Sequence, residues 1–267
     1  MNVYKYELKA ARYRTLMWIV VIMCLVAMYF SIYPAFSKDA DTIKNLFNNM
    51  PAAVHHILGV GSDLKQFSFL GFVGNIFPFI TLIGAIQAST LGLGILSKEK
   101  ALSMSDFILT KPKTRRSIFW QKVLAGATTL IVTEFIVVAG AFGIAAAVGA
   151  GDFSRHDFLM FWGSFILIQF WFYALGLLIS QLVNKVKATA PLGLGLSFGF
   201  FLVAVFALIV GDDSVRWLTP FRYIDYKKIV TDGAYDMWHI AFGLAFITVF
   251  TAACYLIYTR RDVPAAV

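Results

Sequence analysis

An all-α membrane protein with six transmembrane helices is what this sequence predicts, and three observations predict it. Six apolar runs of about 20 residues or more divide the chain. At 1.5 Å per residue each is long enough to cross a hydrocarbon core about 30 Å thick. Only 14% of the residues are charged, well below the roughly 25% of a soluble domain. The lysines and arginines, lastly, gather in alternate segments between the runs, which is how a membrane topology distributes them.

The runs, in order, are 16–36, 67–96, 123–150, 158–182, 189–210 and 237–258. None alternates apolar with polar residues as a barrel strand does. The first is too long for a cleaved leader, and "SIYPAFSKD" offers no small-x-small cleavage site, so it is expected to remain as a span. With both termini inside, the inner segments are 1–15, 97–122, 183–188 and 259–267. They carry 15 of the 23 basic residues against four acids (Glu7, Glu99, Asp106, Asp262), a net +11. The outer segments carry eight basic residues against ten aspartates, a net −2. The chain's overall +8 therefore reflects topology and the inner leaflet, not a nucleic-acid partner.

The pieces between spans have their own patterns. "MNVYKYELKAARYRT" mixes Lys5, Lys9, Arg12 and Arg14 with Tyr4, Tyr6, Leu8 and Tyr13, which suits a helix lying in the inner headgroup layer. In the first outer loop Ile43, Leu46, Phe47, Met50, Val54, Ile57 and Leu58 share one helical face, with Pro51 dividing it. The last outer loop, "GDDSVRWLTPFRYIDYKKIVTDGAYD", has the Trp and Tyr content of an outer-interface segment. No linker, repeat or low-complexity tract appears, so residues 1–267 are read as a single transmembrane domain.

Catalytic and cofactor motifs are scarce. "GVGSDLK" at 59–65 lacks the spacing and the Ser or Thr of a phosphate loop. His55, His56 and His156 are placed in outer loops without a carboxylate or cysteine at ligand spacing, whereas structural zinc takes four N or S ligands. His239 opens the sixth span and reads as an interface residue. Cys24 and Cys254 both fall inside apolar runs and suggest no disulfide or metal site. Glu134 is the ionisable side chain placed well inside a span, where a carboxylate costs roughly 3 kcal/mol unless paired or wetted. It is a candidate pathway residue, near Gln87 and Gln169 of neighbouring spans, or else a packing residue. Stripes of small residues at spacing four (Gly84, Ala88, Gly92; Ala139, Gly143, Ala147; Gly195, Gly199) are expected to let helices approach closely, and the last makes the fifth span a candidate subunit interface.

The segment Lys98 to Lys122, "KEKALSMSDFILTKPKTRRSIFWQK", carries more than a stop-transfer signal needs. Leu102, Phe107, Ile108 and Leu109 give a short helix an apolar face, with Ser105 or Asp106 as a local cap. Pro112 ends it, and Arg115 and Arg116 follow. Such a helix either lies on the inner leaflet or binds a partner.

This segment resembles the one between the second and third spans of permease subunits of ABC type-2 exporters. There a pattern like E-F-L-L-x-K-P-x-x-R recurs; here it reads Asp106-Phe107-Ile108-Leu109-Thr110-Lys111-Pro112-Lys113-Thr114-Arg115. "NVYKYELKA" is similar to that family's N-terminal interfacial helix, "WLTPFRYIDYKKIV" to its outer segment before the sixth span, and "YTRRDV" to its ending. Lys100 stands where relatives often carry a second acid. The resemblance implies a coupling helix formed by Leu102, Asp106, Phe107, Ile108, Leu109, Pro112, Arg115 and Arg116, docking on a separate ABC ATPase subunit. It also implies two permease chains (a homodimer or close paralogues) with two ATPases, in a prokaryotic plasma membrane. ATP and Mg would sit on the partner, with no cofactor and no catalytic residue in this chain. Cargo would be amphipathic or hydrophobic, such as a peptide, drug or lipid. The alternative is a proton-coupled secondary transporter using Glu134, which would predict inverted repeats with interrupted spans.

Overall fold

The computed structural model describes residues 2–38, 68–101, 114–150, 153–183, 188–210 and 213–260. Their regular structure is entirely helical. In order it comprises α1 (Val3–Lys38), α2 (Phe69–Ala101), α3 (Arg115–Ala147), α4 (Arg155–Leu182) and α5 (Thr189–Val210). Two 3-10 turns follow, Asp213–Leu218 and Pro220–Arg222, then the short α6 (Tyr226–Asp232) and finally α7 (Met237–Arg260). All but the turns and α6 are long and apolar enough to cross a bilayer. The apolar face expected at 43–58 lies outside the described residues.

Side-chain caps start five of the helices, Asn2 and Ser68 accepting from the Tyr4 and Gly71 N–H groups at the starts of α1 and α2. Thr114, Ser154 and Asp225 each accept from backbone N–H groups of the first turn of α3, α4 and α6, satisfying donors that a helix start leaves open. Gly233 ends α6 in the left-handed region at φ 61°, where a residue with a Cβ is strained.

Two helices begin well before their apolar runs. α3 opens at Arg115 rather than 123, and α1 opens at Val3 rather than 16. Glu7, Leu8, Lys9, Ala10, Ala11 and Arg12 all favour helix, and no glycine or proline separates them from the span. The interfacial helix expected at the N-terminus is therefore not a separate element but the start of α1. At 1.5 Å per residue the 36 residues of α1 run for about 54 Å, far more than a bilayer core requires.

Helices α2 and α4 form the centre of the bundle. Gly92 of α2 lies against the backbone of Tyr173 and Leu177 in α4, and a Cβ on Gly176 would come within 2.7 Å of the Ser89 carbonyl. Gly84 lies under the Phe165 ring. The Gly84, Ala88, Gly92 stripe is thus a true packing seam. α5 joins α2 where Ser89 Oγ donates to the Gly193 carbonyl at 3.1 Å and meets Ser197 Oγ at 3.0 Å. α7 joins α4 through Cys254 Sγ on the Leu177 carbonyl, 3.3 Å, and through Trp171 against Phe246 and Phe250. α1 lies along α3, with Met23 over Gly140.

Among the described residues, nothing packs on the exposed glycines of the other two small-residue stripes. Ala139, Gly143 and Ala147 are exposed, and the buried seam of α3 is Val137, Ala141 and Ala145. A Cβ added at Gly143, Gly195 or Gly199 would meet no atom within 4 Å; α5 buries Gly193, Ser197, Phe201 and Ala204 instead. Spacing located these stripes, but helix rotation decides which one is covered.

The helices alternate in direction. The start of α1, the end of α2, the start of α3 and the end of α7 meet at one end, through Lys122 with Glu7 and Ile95 and through Phe119 with Tyr255 and Tyr258. Lys5, Lys9, Arg12, Arg14, Arg115, Arg116, Lys122 and Arg260 belong to these helix ends and make this the basic end. At the opposite end Phe30 and Tyr33 pack on Phe69, and Tyr235 donates to the Met160 carbonyl.

Candidate functional site

A row of amides crosses the middle of the bundle. Gln87 Nε2 on α2 donates to Thr133 Oγ1 on α3 at 3.0 Å, and Gln169 Nε2 on α4 donates to Gln87 Oε1 at 3.4 Å. Thr133 passes its own proton to the Thr129 carbonyl, 2.9 Å, so its oxygen is free to accept. All three side chains are buried. Gln169 Oε1 ends the row without a partner, and an unpaired acceptor in such surroundings costs roughly 1–3 kcal/mol.

Glu134 belongs to the next position round the helix and not to this row. Its neighbour Thr133 takes the place at Gln87 that sequence reasoning gave to the carboxylate, because successive residues of a helix point about 100° apart. Glu134 is nevertheless buried, and its Oε2 has no hydrogen-bond partner. At the opposite end, burial, and then the proximity of Glu134, push the Tyr235 hydroxyl up to about 12.

At the basic end, two residues that the charge count treats as solvated are buried together. Lys122 Nζ donates to Glu7 Oε1 at 2.8 Å and to the Ile95 carbonyl at 3.2 Å, with both side chains less than a tenth exposed. Tyr4 Oη lies 3.0 Å from Thr128 Oγ1. Beside this pair a narrow crevice is lined by Glu7, Ala11 and Arg14 of α1, Leu91 and Ile95 of α2, and Ala125 and Thr129 of α3. Sequence reasoning missed the pair. The signal was slight: Glu7 is the sole acid among the first fifteen residues.

The sequence pattern of the ABC-2 family transporter proteins matches residues 1–263, nearly the whole chain. The chain belongs to the ABC-2 transporter family. A search of curated proteins returns no match. As an ABC-2 family member with six apolar helices, it is a multi-pass membrane component of an ABC transporter, and the family works with an ATP-binding cassette partner in general.

In this ABC-2 chain, Leu102, Asp106, Phe107, Ile108, Leu109 and Pro112 lie outside the described residues. Arg115 and Arg116 form the first turn of α3, Arg116 exposed and Arg115 half-buried, at the basic end. The structure thus brings Gln87 and Gln169 together, gives Glu134 Oε2 no hydrogen bond to either, and places the two arginines at the start of α3.

The histidines differ from expectation. His156 is in the first turn of α4, not in a loop, with Nδ1 3.1 Å from Asp157 Oδ1. His239 is no lipid-interface residue: it is buried, stacked on Trp217 at 4.2 Å, with Nδ1 2.8 Å from Asp236 Oδ2. Arg216 Nη2 approaches the same carboxylate at 3.5 Å. Burial acts to raise Asp236, but the approach of His239, and then the charges of His239, Arg216 and Lys228, outweigh it and hold the carboxyl below its ordinary value. This cluster ties the 3-10 turn at Asp213–Leu218 to the start of α7. Among the described residues no group of three potential metal ligands gathers.

Proposed function

We propose that this chain is the permease subunit of an ATP-driven exporter, coupled through the segment 98–116 to a separate ATPase. The observation that carries the reading, beyond family membership, is the basic end: both feet of that segment, at Ile95 and Lys122, are gathered there with the start of α1. Residues 1–267 act as one permease domain, with the basic end and both termini in the cytosol of a prokaryotic cell. Two such chains, identical or paralogous, work with two ATPase subunits, which carry ATP and Mg; this chain supplies no catalytic residue and holds no cofactor. Closure of the ATPases on nucleotide biases the membrane dimer between inward-open and outward-open or collapsed states, a shift that differential contacts in the two states can drive. The coupling contact comprises Leu102, Asp106, Phe107, Ile108, Leu109 and Pro112, with Arg115 and Arg116 beside it. The interior is aromatic around a short amide row, which suits amphipathic or hydrophobic cargo. Co-purification of the tagged chain with an ATPase whose turnover responds to cargo tests this reading.

Two predictions bear on its parts. In a background lacking Cys24 and Cys254, single cysteines at Ser105 and Ser214 label from opposite sides of the membrane with an impermeant maleimide; labelling of both from outside would refute the topology. Glu134→Gln leaves thermal stability within about 1 kcal/mol of wild type, because Oε2 has no hydrogen bond to lose, while cargo-stimulated ATP turnover of the complex changes. A variant with unchanged turnover removes Glu134 from the pathway, and one that fails to accumulate makes it a packing residue.

A further inference from the structure

We propose that Glu134 receives the ammonium group of an amphipathic, cationic cargo at the edge of the bundle. The proposal rests on the reading of this chain as a permease and names the cargo class for it. Glu134 lies near the middle of α3, nine-tenths buried, and its Oε2 has no hydrogen-bond partner. Polar side chains that fasten the helices to one another are bonded instead: Ser89 to the Gly193 carbonyl, Gln87 to Thr133, and Tyr173 to the Val123 carbonyl. A fastening role therefore does not account for the Glu134 carboxylate. Lys122, the nearest basic residue along α3, is about 18 Å away at 1.5 Å per residue, and it is already paired with Glu7.

The rotation of α3 gives this carboxylate a way in. Leu130, Val137 and Ala141, to one side of Glu134 around the helix, are fully buried. Ile131 and Phe135, to its other side, are half and three-quarters exposed. Glu134 thus stands on the border between the packed face of α3 and the face that meets lipid. A charged group held there keeps its apolar tail in the bilayer or along the exposed face. Towards the opposite end the position is covered: Tyr235 donates to the Met160 carbonyl, and its hydroxyl lies against Gly163 of α4, near enough to Glu134 to feel its charge. The chemistry selects an organic cation. Calcium takes roughly six to eight oxygen ligands, and among the described residues no three potential metal ligands gather. An ammonium needs one carboxylate, with which it forms a charge-assisted hydrogen bond, and it relieves the cost of an unpaired charge within a span.

The test measures saturable binding of radiolabelled dodecylammonium and of its neutral N-acetyl counterpart to the full chain in phosphatidylcholine nanodiscs, with empty nanodiscs subtracted. The wild-type chain binds the ammonium at least about tenfold more tightly than the amide, as a hydrogen bond to a charged group implies. Glu134→Gln has no Oε2 hydrogen bond to lose, so it folds; it binds the two probes alike, with the amide affinity unchanged. Glu134→Asp keeps part of the preference. Equal affinities in the wild type, or a full preference in Glu134→Gln, would overturn the proposal. Neither result touches the permease reading, which ATPase capture by the same chain tests separately. A chain that prefers the ammonium but captures no ATPase would overturn that reading, and with it the role of the amine as cargo.

Discussion

Gly92→Leu or Gly176→Leu prevents the bundle from assembling. These two glycines sit where α2 and α4 touch backbone to backbone, and the atoms that a side chain would strike are the Tyr173 and Ser89 carbonyls and the Leu177 and Leu93 amides. Backbone inside a helix cannot swing aside as a side-chain tip can, so the helices must separate. Separation also breaks contacts that depend on the seam, including the Gln87–Gln169 bond and the Tyr173 hydroxyl on the Val123 carbonyl. Overpacking of this kind costs about 3 kcal/mol or more, a large share of the stability of a typical domain. Thermal unfolding of the detergent-solubilised chain reads the loss. Gly195→Leu is the control, since a Cβ there meets nothing within 4 Å; a stable Gly92→Leu protein would mean that α2 and α4 do not meet as described.

Phe107→Asp has its large effect on partnership instead. Phe107, Ile108 and Leu109 form the apolar centre of a segment otherwise rich in lysine and arginine, and an apolar anchor at a small interface is worth about 2 kcal/mol or more. That corresponds to ATPase capture weakened by about 30-fold, or to a complex whose hydrolysis no longer drives transport. Leu109→Asp acts alike if it shares the face, and Thr42→Asp in the first outer loop leaves capture unchanged. Wild-type capture and coupling in Phe107→Asp would remove the segment from its proposed role and favour a helix lying on the inner leaflet.

The existence of the membrane helices was legible because run length against bilayer thickness is a direct constraint, whereas the starts of α1 and α3 lie well outside their apolar runs. The fifth helix, Thr189–Val210, begins and ends where its apolar run does. Helix rotation was not legible. In a soluble protein the buried face is the apolar one, but lipid is as apolar as the core. Phe135, three-quarters exposed, and Phe165, fully buried, are the same residue type in the same kind of run. Ala139–Gly143–Ala147 and Gly84–Ala88–Gly92 are equally alike in sequence, and only the second is covered.

Polar residues were legible one at a time and not as pairs. Gln87, Gln169 and Glu134 stood out because an apolar run makes any amide or carboxylate visible. The bonds that join Gln169 to Gln87 and Gln87 to Thr133 were not visible; Thr133 also bonds its own backbone. Glu7 and Lys122 escaped for the opposite reason: each sits among other charges, and 115 residues separate them. The same holds for His239 and Arg216, which meet on Asp236 only because the turn before α7 folds back.

The most direct measurement is purification of the tagged chain from membranes of its own host in mild detergent, with partners identified by mass spectrometry and ATP turnover assayed on the eluate. An ATP-binding cassette subunit is expected in equal amount to the permease chain or chains, with ATP hydrolysis that disappears when that subunit is removed. A chain that elutes without any ATP-binding subunit and without ATP turnover, from membranes in which it remains folded, would refute its role as the permease of an ATP-driven transporter.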